Sequence, residues 1–230
     1  GLVRVESGKA EVPLLRSKSG EVTLRMYDGG FTTMAPPAPL QIEFFGGPAV
    51  AVAFVVADKD AAEVEKGVMV GKEVEVLVRL VDEHDNVSPE FETASVEVAL
   101  SHGASGGGTV ELTKGEGSLQ LKSEVADRVL VKAGEVTGAS RRLKTDRVLE
   151  VPYTSDSPTT LSLRVAPGTR AVAGELTRLQ VYTGDAHGNH AHKGVAGDVT
   201  VVAAAPAAVE RGGAVAVVDG EGEAWVRSEE

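Results

Sequence analysis

The chain has 230 residues, a formal charge of −11, 42% hydrophobic but only 4% aromatic residues, and no cysteine. Its acidic balance, with no basic stripe, excludes binding driven by phosphate neutralisation, so neither nucleic acid nor an anionic membrane surface is an expected partner. The absence of cysteine removes disulfide frameworks, cysteine-based zinc sites and thiol nucleophiles, and it leaves the compartment open.

No apolar run approaches the roughly 18 to 20 residues that span a bilayer, so no membrane insertion is expected within this segment. The N-terminus lacks the basic, apolar and small-residue order of a signal peptide. Gly1 opens directly into strand-like residues, which reads as part of a larger protein. Valine is abundant and alternates with Thr, Glu and Arg; β-branched residues at period two fit pleated sheets with one face buried. The expected class is all-β.

In chain order, residues 1–34 read as two or three strands, over Gly1 to Ser17 and Gly20 to Met26, with turns at Ser7-Gly8 and Asp28-Gly29-Gly30. Leu40 to Phe44 is a further strand, and Gly46-Gly47-Pro48 supplies the residues of a sharp turn. Val74 to Val81 is a strand-like run that stops abruptly at Asp82-Glu83-His84-Asp85-Asn86. The same ending recurs at Asp185-Ala186-His187-Gly188-Asn189, after Leu179 to Thr183. Three stretches, starting near Gly1, Gly108 and Gly213, share a glycine start, an alternating strand, a glycine turn and a second strand ending in a basic residue and serine. Val96, Val98 and Leu100 fall on Val199, Val201 and Ala203, Val22 to Leu24 falls on Val129 to Val131, and Leu40 to Phe44 falls on Leu149 to Tyr153.

A period of roughly 100 residues fits a β-sandwich and is far longer than a solenoid or propeller repeat. Junctions are expected at Gly46-Gly47-Pro48 and at Ser155-Asp156-Ser157-Pro158. That phasing gives the last strands of one repeat over 1–47, a complete repeat over 48–157, and the front part of another over 158–230. Ser105-Gly106-Gly107-Gly108 is read as a loop inside one domain, since strand-like residues flank it closely; the alternative makes the glycine clusters at 103–108 and 212–213 linkers.

These segments resemble the bacterial immunoglobulin-like repeats of the invasin and intimin type, whose pattern runs through an early Ala-Gly or Val-Gly turn, an Asp-x-x-Gly-Asn turn and a Gly-Gly-x-Val strand. Val70-Gly71, Asp82 to Asn86, Gly107 to Val110 and Gly117 to Leu119 match in order, as do Ala173-Gly174, Asp185 to Asn189, Gly212 to Val215 and Gly222 to Ala224. Two positions depart: Asp85 stands where the family has glycine, and His190-Ala191-His192-Lys193 replaces the usual Pro-Val. The resemblance implies tandem immunoglobulin-like β-sandwich domains, non-catalytic, at a cell surface or outside the cell. They would serve cell adhesion or act as a structural spacer, with other proteins or further repeats as partners. The departures leave open a filamin-like intracellular scaffold repeat that binds partners by β-strand addition.

Candidate chemistry is sparse. Asp82, Asp85, Asn86, Asp185, His187 and Asn189 are the candidates for a cation, since carboxylate and amide oxygens converge at such turns. Each turn offers too few carboxylates for six to eight ligands, which favours Asp and Asn capping their own backbone. His187, His190 and His192 form the densest imidazole cluster, without a cysteine to complete a usual zinc set. No nucleophile elbow or phosphate loop occurs, so neither enzyme activity nor a cofactor is expected. Trp225, the sole tryptophan, is out of phase with the apolar positions of its strand and is the candidate protein contact.

Overall fold

The computed structural model describes residues 11–26, 38–191, 196–204, 207–209 and 213–228. The expected strand at the extreme N-terminus, the Asp28-Gly29-Gly30 turn and His192 lie outside the described residues. Alternating valines do form strands: in β5, Glu73–Val81, the side chains of Val74, Val76, Val78 and Leu80 are at most 1% exposed, while the residues between them are partly open. Each such fully buried side chain contributes on the order of 1.5–3 kcal/mol.

The chain begins with an antiparallel pair, β1 (Gly20–Leu24) and β2 (Leu40–Phe44). Next come β3 (Ala51–Val56), a short helix α1 (Asp58–Val64), β4 (Val68–Met69), β5, β6 (Thr93–Leu100), β7 (Gly108–Thr113), β8 (Glu116–Lys122), β9 (Arg128–Thr137) and β10 (Val148–Thr154). Their pairing runs β3-β5-β8-β7-β6-β9-β10-β4. Between β7 and β8 the ladder is a single tight hairpin step, Thr113 opposite Glu116, so the path folds there into two layers, β3-β5-β8 and β7-β6-β9-β10-β4. One core lies between them, with Val52, Val76 and Leu121 from one layer against Val96, Val131 and Val151 from the other. This is a β-sandwich, closed at one edge by β4 running parallel to β10. Tyr153 of β10 bridges the layers, its hydroxyl donating to the Leu121 carbonyl at 3.0 Å. Burial, and then the carboxylates of Asp60 and Glu63, push its phenol up to about 12.

The chain continues through β11 (Thr160–Val165), β12 (Leu176–Gly184), β13 (Ala196–Thr200), β14 (Ala207–Val209), β15 (Ala214–Val218) and β16 (Glu221–Ser228). The order β11-β12-β16-β15-β13 repeats β3-β5-β8-β7-β6 strand for strand. Registers repeat too: Ala51 opposite Val81 becomes Thr160 opposite Gly184, and Glu73 opposite Lys122 becomes Leu176 opposite Arg227. Its core is thin, with Val181, Val215, Val217 and Ala224 buried. The glycine-rich segment 103–108 joins β6 to β7, neighbours in one sheet, and Ser105 bridges to Lys122 of β8.

Helix α1 was not expected. Its seven residues are too few for a 3.6-residue period to show, and none is buried. It is tied to β5 from outside, where the Asp60 carboxylate accepts from the Glu75 amide at 2.8 Å and Lys59 pairs with Glu75.

Candidate junction site

The recurrent Asp-x-x-x-Asn turn closes β5 and β12 in the same way. Asp82 N–H donates to the Asn86 carbonyl and Asp185 N–H to the Asn189 carbonyl, at 3.0 and 2.9 Å. The fourth residue takes a left-handed backbone, φ 61° at Asp85 and 82° at Gly188. Glycine reaches that region without steric cost and Asp tolerates it better than most residues. That explains how Asp85 stands where the other copy has glycine. Its carboxylate turns to Arg147, 2.6 Å away.

The first residue of each turn is a carboxylate surrounded by N–H groups. Asp82 is 4% exposed; its Oδ1 accepts from the amides of His84 (2.8 Å) and Asn86 (2.9 Å), and its Oδ2 from the amide of Gly47 (2.7 Å). Asp185, fully buried, accepts at Oδ1 from the amides of His187 and Asn189, both 2.9 Å, and at Oδ2 from that of Asp156 (3.1 Å). Gly47 and Asp156 belong to the two segments expected to be junctions. Burial alone pushes both carboxyls up, but the amide of the turn's Asn and these backbone donors together outweigh it and hold both below the ordinary carboxylate range.

The Asn of each turn faces two ways. Asn86 Nδ2 donates to the Asp82 carboxylate (3.0 Å) and to the Ser17 carbonyl (2.8 Å), while its Oδ1 accepts from the Ser19 amide (2.9 Å). Asn189 Nδ2 donates to the Asp185 carboxylate (3.0 Å) and to the Glu124 carbonyl (2.8 Å), and its Oδ1 accepts from the Ala126 amide (2.9 Å). Residues 17–19 precede β1 and residues 124–126 precede β9, the counterpart of β1. Each turn therefore grips the linker behind it through Asp and the strand entry of the preceding sheet through Asn.

The tight turns behind these sites repeat as well. Lys114-Gly115 and Asp219-Gly220 both take the left-handed pair of a type I′ hairpin, and the Gly115 and Gly220 carbonyls accept from the amides of Leu80 and Thr183. A Cβ at Gly115 would stand 2.0 Å from the Ser88 carbonyl oxygen, and one at Gly220 would stand 2.1 Å from that of Ala191. Only glycine fits between the hairpin and the chain leaving the turn.

Of the residues singled out as candidate cation ligands, Asp82 meets Asn86 at one turn and Asp185 meets Asn189 at the other, with their side-chain oxygens directed at N–H donors. A cation would have to displace those donors. His187 enters by its backbone amide and its ring lies against Gly71. The His190 ring stacks edge-on against Tyr182, 5.1 Å between centroids, and Nε2 lies 3.2 Å from the Gly220 carbonyl. Trp225 is 41% exposed and pairs across the ladder with Arg178. The first junction leaves a shallow cleft of about 400 Å3, lined by Arg16, Lys18, Phe45 and His84 among others.

Neither a protein-family model nor a curated protein matches this chain. Among solved structures it is similar to the Escherichia coli adhesin FdeC, at 15% identity and a TM-score of 0.40, covering 91% of this chain and 66% of that one. It is also similar to domains 4–9 of the surface layer protein SbsC, at 13% identity and a TM-score of 0.23, covering 92% of this chain and 31% of that one. The chain thus spans less than two thirds of either. Superpositions that loose leave the fold resting on this chain's own strands: an all-β protein of tandem immunoglobulin-like sandwiches.

Proposed function

We propose that this chain is a non-catalytic tandem immunoglobulin-like region of a larger cell-surface protein, a structural spacer in cell adhesion, divided into repeats at 1–47, 48–157 and 158–230. The supporting observation is the duplicated junction: the same Asp and Asn, in the same geometry, join each sandwich to the strand entry before it. Side chains that would otherwise be free for chemistry are used to hold one unit against the next. A spacer needs such coupling, because a series of units on loose linkers transmits neither reach nor force. The motif resemblance to invasin and intimin repeats favours the cell surface over an intracellular scaffold.

Antibodies against this region, applied to intact and to permeabilised cells of the source organism, test the location. Labelling of intact cells is expected. Signal that appears only after permeabilisation would transfer the same architecture to the scaffold reading. Small-angle scattering tests the coupling: the wild-type chain is expected to keep one extended distance distribution, and Asn86→Ala with Asn189→Ala to broaden it.

A further inference from the structure

We propose that the outward face of β12 and β16 is a binding site for a neutral oligosaccharide, with the Trp225 indole as its stacking platform. Val181 and Ala224 point into the core, so Arg178, Gln180 and Tyr182 of β12 and Glu221, Glu223 and Trp225 of β16 point away from it. The ladder sets them in three rows, Arg178 opposite Trp225, Gln180 opposite Glu223 and Tyr182 opposite Glu221. Over the last two rows lies a shallow trough of about 210 Å3, lined by Gln180, Tyr182, Glu221, Gly222 and Glu223. Trp225, 41% exposed, takes the next outward position after Glu223, roughly 7 Å along the strand.

The fold does not ask for these rings. In the complete sandwich the corresponding rows are Glu75 opposite Gln120, Leu77 opposite Ser118 and Arg79 opposite Glu116, and the same strands form without an aromatic residue among them. Nor does the rest of a repeat cover the face. β9 and β10 join the opposite layer, and with both in place Ser118 and Gln120, the counterparts of Glu223 and Trp225, are still exposed. The site therefore lies on a surface that a completed repeat leaves open.

The chemistry of the rim selects the ligand. Arg178 pairs with Glu223, the Arg164 guanidinium lies 5.8 Å from the Tyr182 ring centroid, and His190 Nδ1 lies 3.7 Å from the Glu221 carboxylate. Groups of both signs thus alternate across the face, and neither a polyanion nor a polycation finds a block of opposite charge. An arginine only donates hydrogen bonds and a carboxylate only accepts them, whereas a hydroxyl does both, and the Gln180 amide offers one of each. Neighbouring hydroxyls on one sugar ring can therefore meet the guanidinium and the carboxylate side by side. The C–H face of the same ring is apolar and lies on the indole, the combination of aromatic wall and few placed polar groups that small-ligand sites use. No aliphatic side chain lines the trough, so an apolar anchor from a protein partner gains little there. The site goes beyond the spacer reading and stands without it.

The test is an array of neutral and of acidic oligosaccharides probed with the labelled chain, followed by titration with the free oligosaccharides that it retains. Binding to a subset of the neutral glycans is expected. Because Trp225 is the only tryptophan, its fluorescence should shift as they fill the site. Trp225→Ala should weaken binding by roughly ten-fold or more, the usual effect of removing an aromatic anchor, while Trp225→Tyr, which keeps a ring, should retain most of it. Gln180→Ala should weaken it as well. Gln120→Ala, on the counterpart face of the complete sandwich, should leave it unchanged, and circular dichroism should show every variant folded. An array on which no neutral glycan is retained overturns the proposal. So does binding confined to acidic glycans, or binding that both Trp225→Ala and Gln180→Ala leave intact, since the ligand would then be recognised elsewhere.

Discussion

Replacing Asn189 by alanine removes both of its bonds to the preceding sandwich, to the Glu124 carbonyl and from the Ala126 amide, together with its bond to Asp185. Two neutral hydrogen bonds contribute about 0.5–1.5 kcal/mol each, and the bond to a carboxylate somewhat more. Asn189 is partly exposed, so water substitutes for some of this and the lower range applies. The expected loss is about 2 kcal/mol, or roughly a thirty-fold rise in opening of the β11–β16 unit, at 1.4 kcal/mol per tenfold. Trp225, the only tryptophan, lies in that unit and reports on it. Urea unfolding followed by its fluorescence should show a midpoint lower by roughly 1–2 M, for a slope of about 1–2 kcal/mol/M. Asn189→Asp keeps an acceptor for Ala126 but loses the donor and sets a second carboxylate against Asp185; at neutral pH it should cost more than alanine. An unmoved midpoint in Asn189→Ala would refute the idea that this side chain couples the units.

Acid should loosen both junctions. Asp82 and Asp185 titrate lower in the folded chain than in the unfolded one, so their contribution is complete above the unfolded carboxyl value of about 3.9 and is lost as pH falls from there through the folded value. Scattering profiles should therefore be constant at neutral pH and broaden only below about pH 4, and Asp82→Asn should weaken that dependence. Gly115→Ala and Gly220→Ala each force a left-handed alanine against a carbonyl and should destabilise by about 2–4 kcal/mol in thermal unfolding. Tyr153→Phe removes the hydroxyl bridge to Leu121 and should cost about 1–2 kcal/mol without changing the sheet content seen by circular dichroism.

The strands and their period were legible because valine alternation reports burial directly: Val74 to Leu80 is written in the sequence as it packs. The same holds for the recurring turns, where Asp, Asn and the left-handed position have specific side-chain requirements. The partners of those turns were not legible. Gly47, Asp156, Ser17, Ser19, Glu124 and Ala126 take part through backbone atoms, which leave no mark on residue identity. The only available signal was positional, a similar though not identical spacing between each Asn and the basic-then-serine strand end before it. Helix α1 and the two-residue β4 escaped for another reason: elements that short carry no periodicity. Trp225 could be assigned to an outward face from phase alone, whereas its pairing with Arg178 needed the β12–β16 register.

The docking surface that each Asn meets is a carbonyl and an amide two residues apart, and nothing of the side chains between or beside them. Ser17 and Ser19 serve one copy, Glu124 and Ala126 the other, and the bond lengths agree within 0.1 Å. A coupling that ignores what its socket is made of lets units be added, dropped or exchanged without redesigning their neighbours, so the length of such an array can change while its joints stay the same.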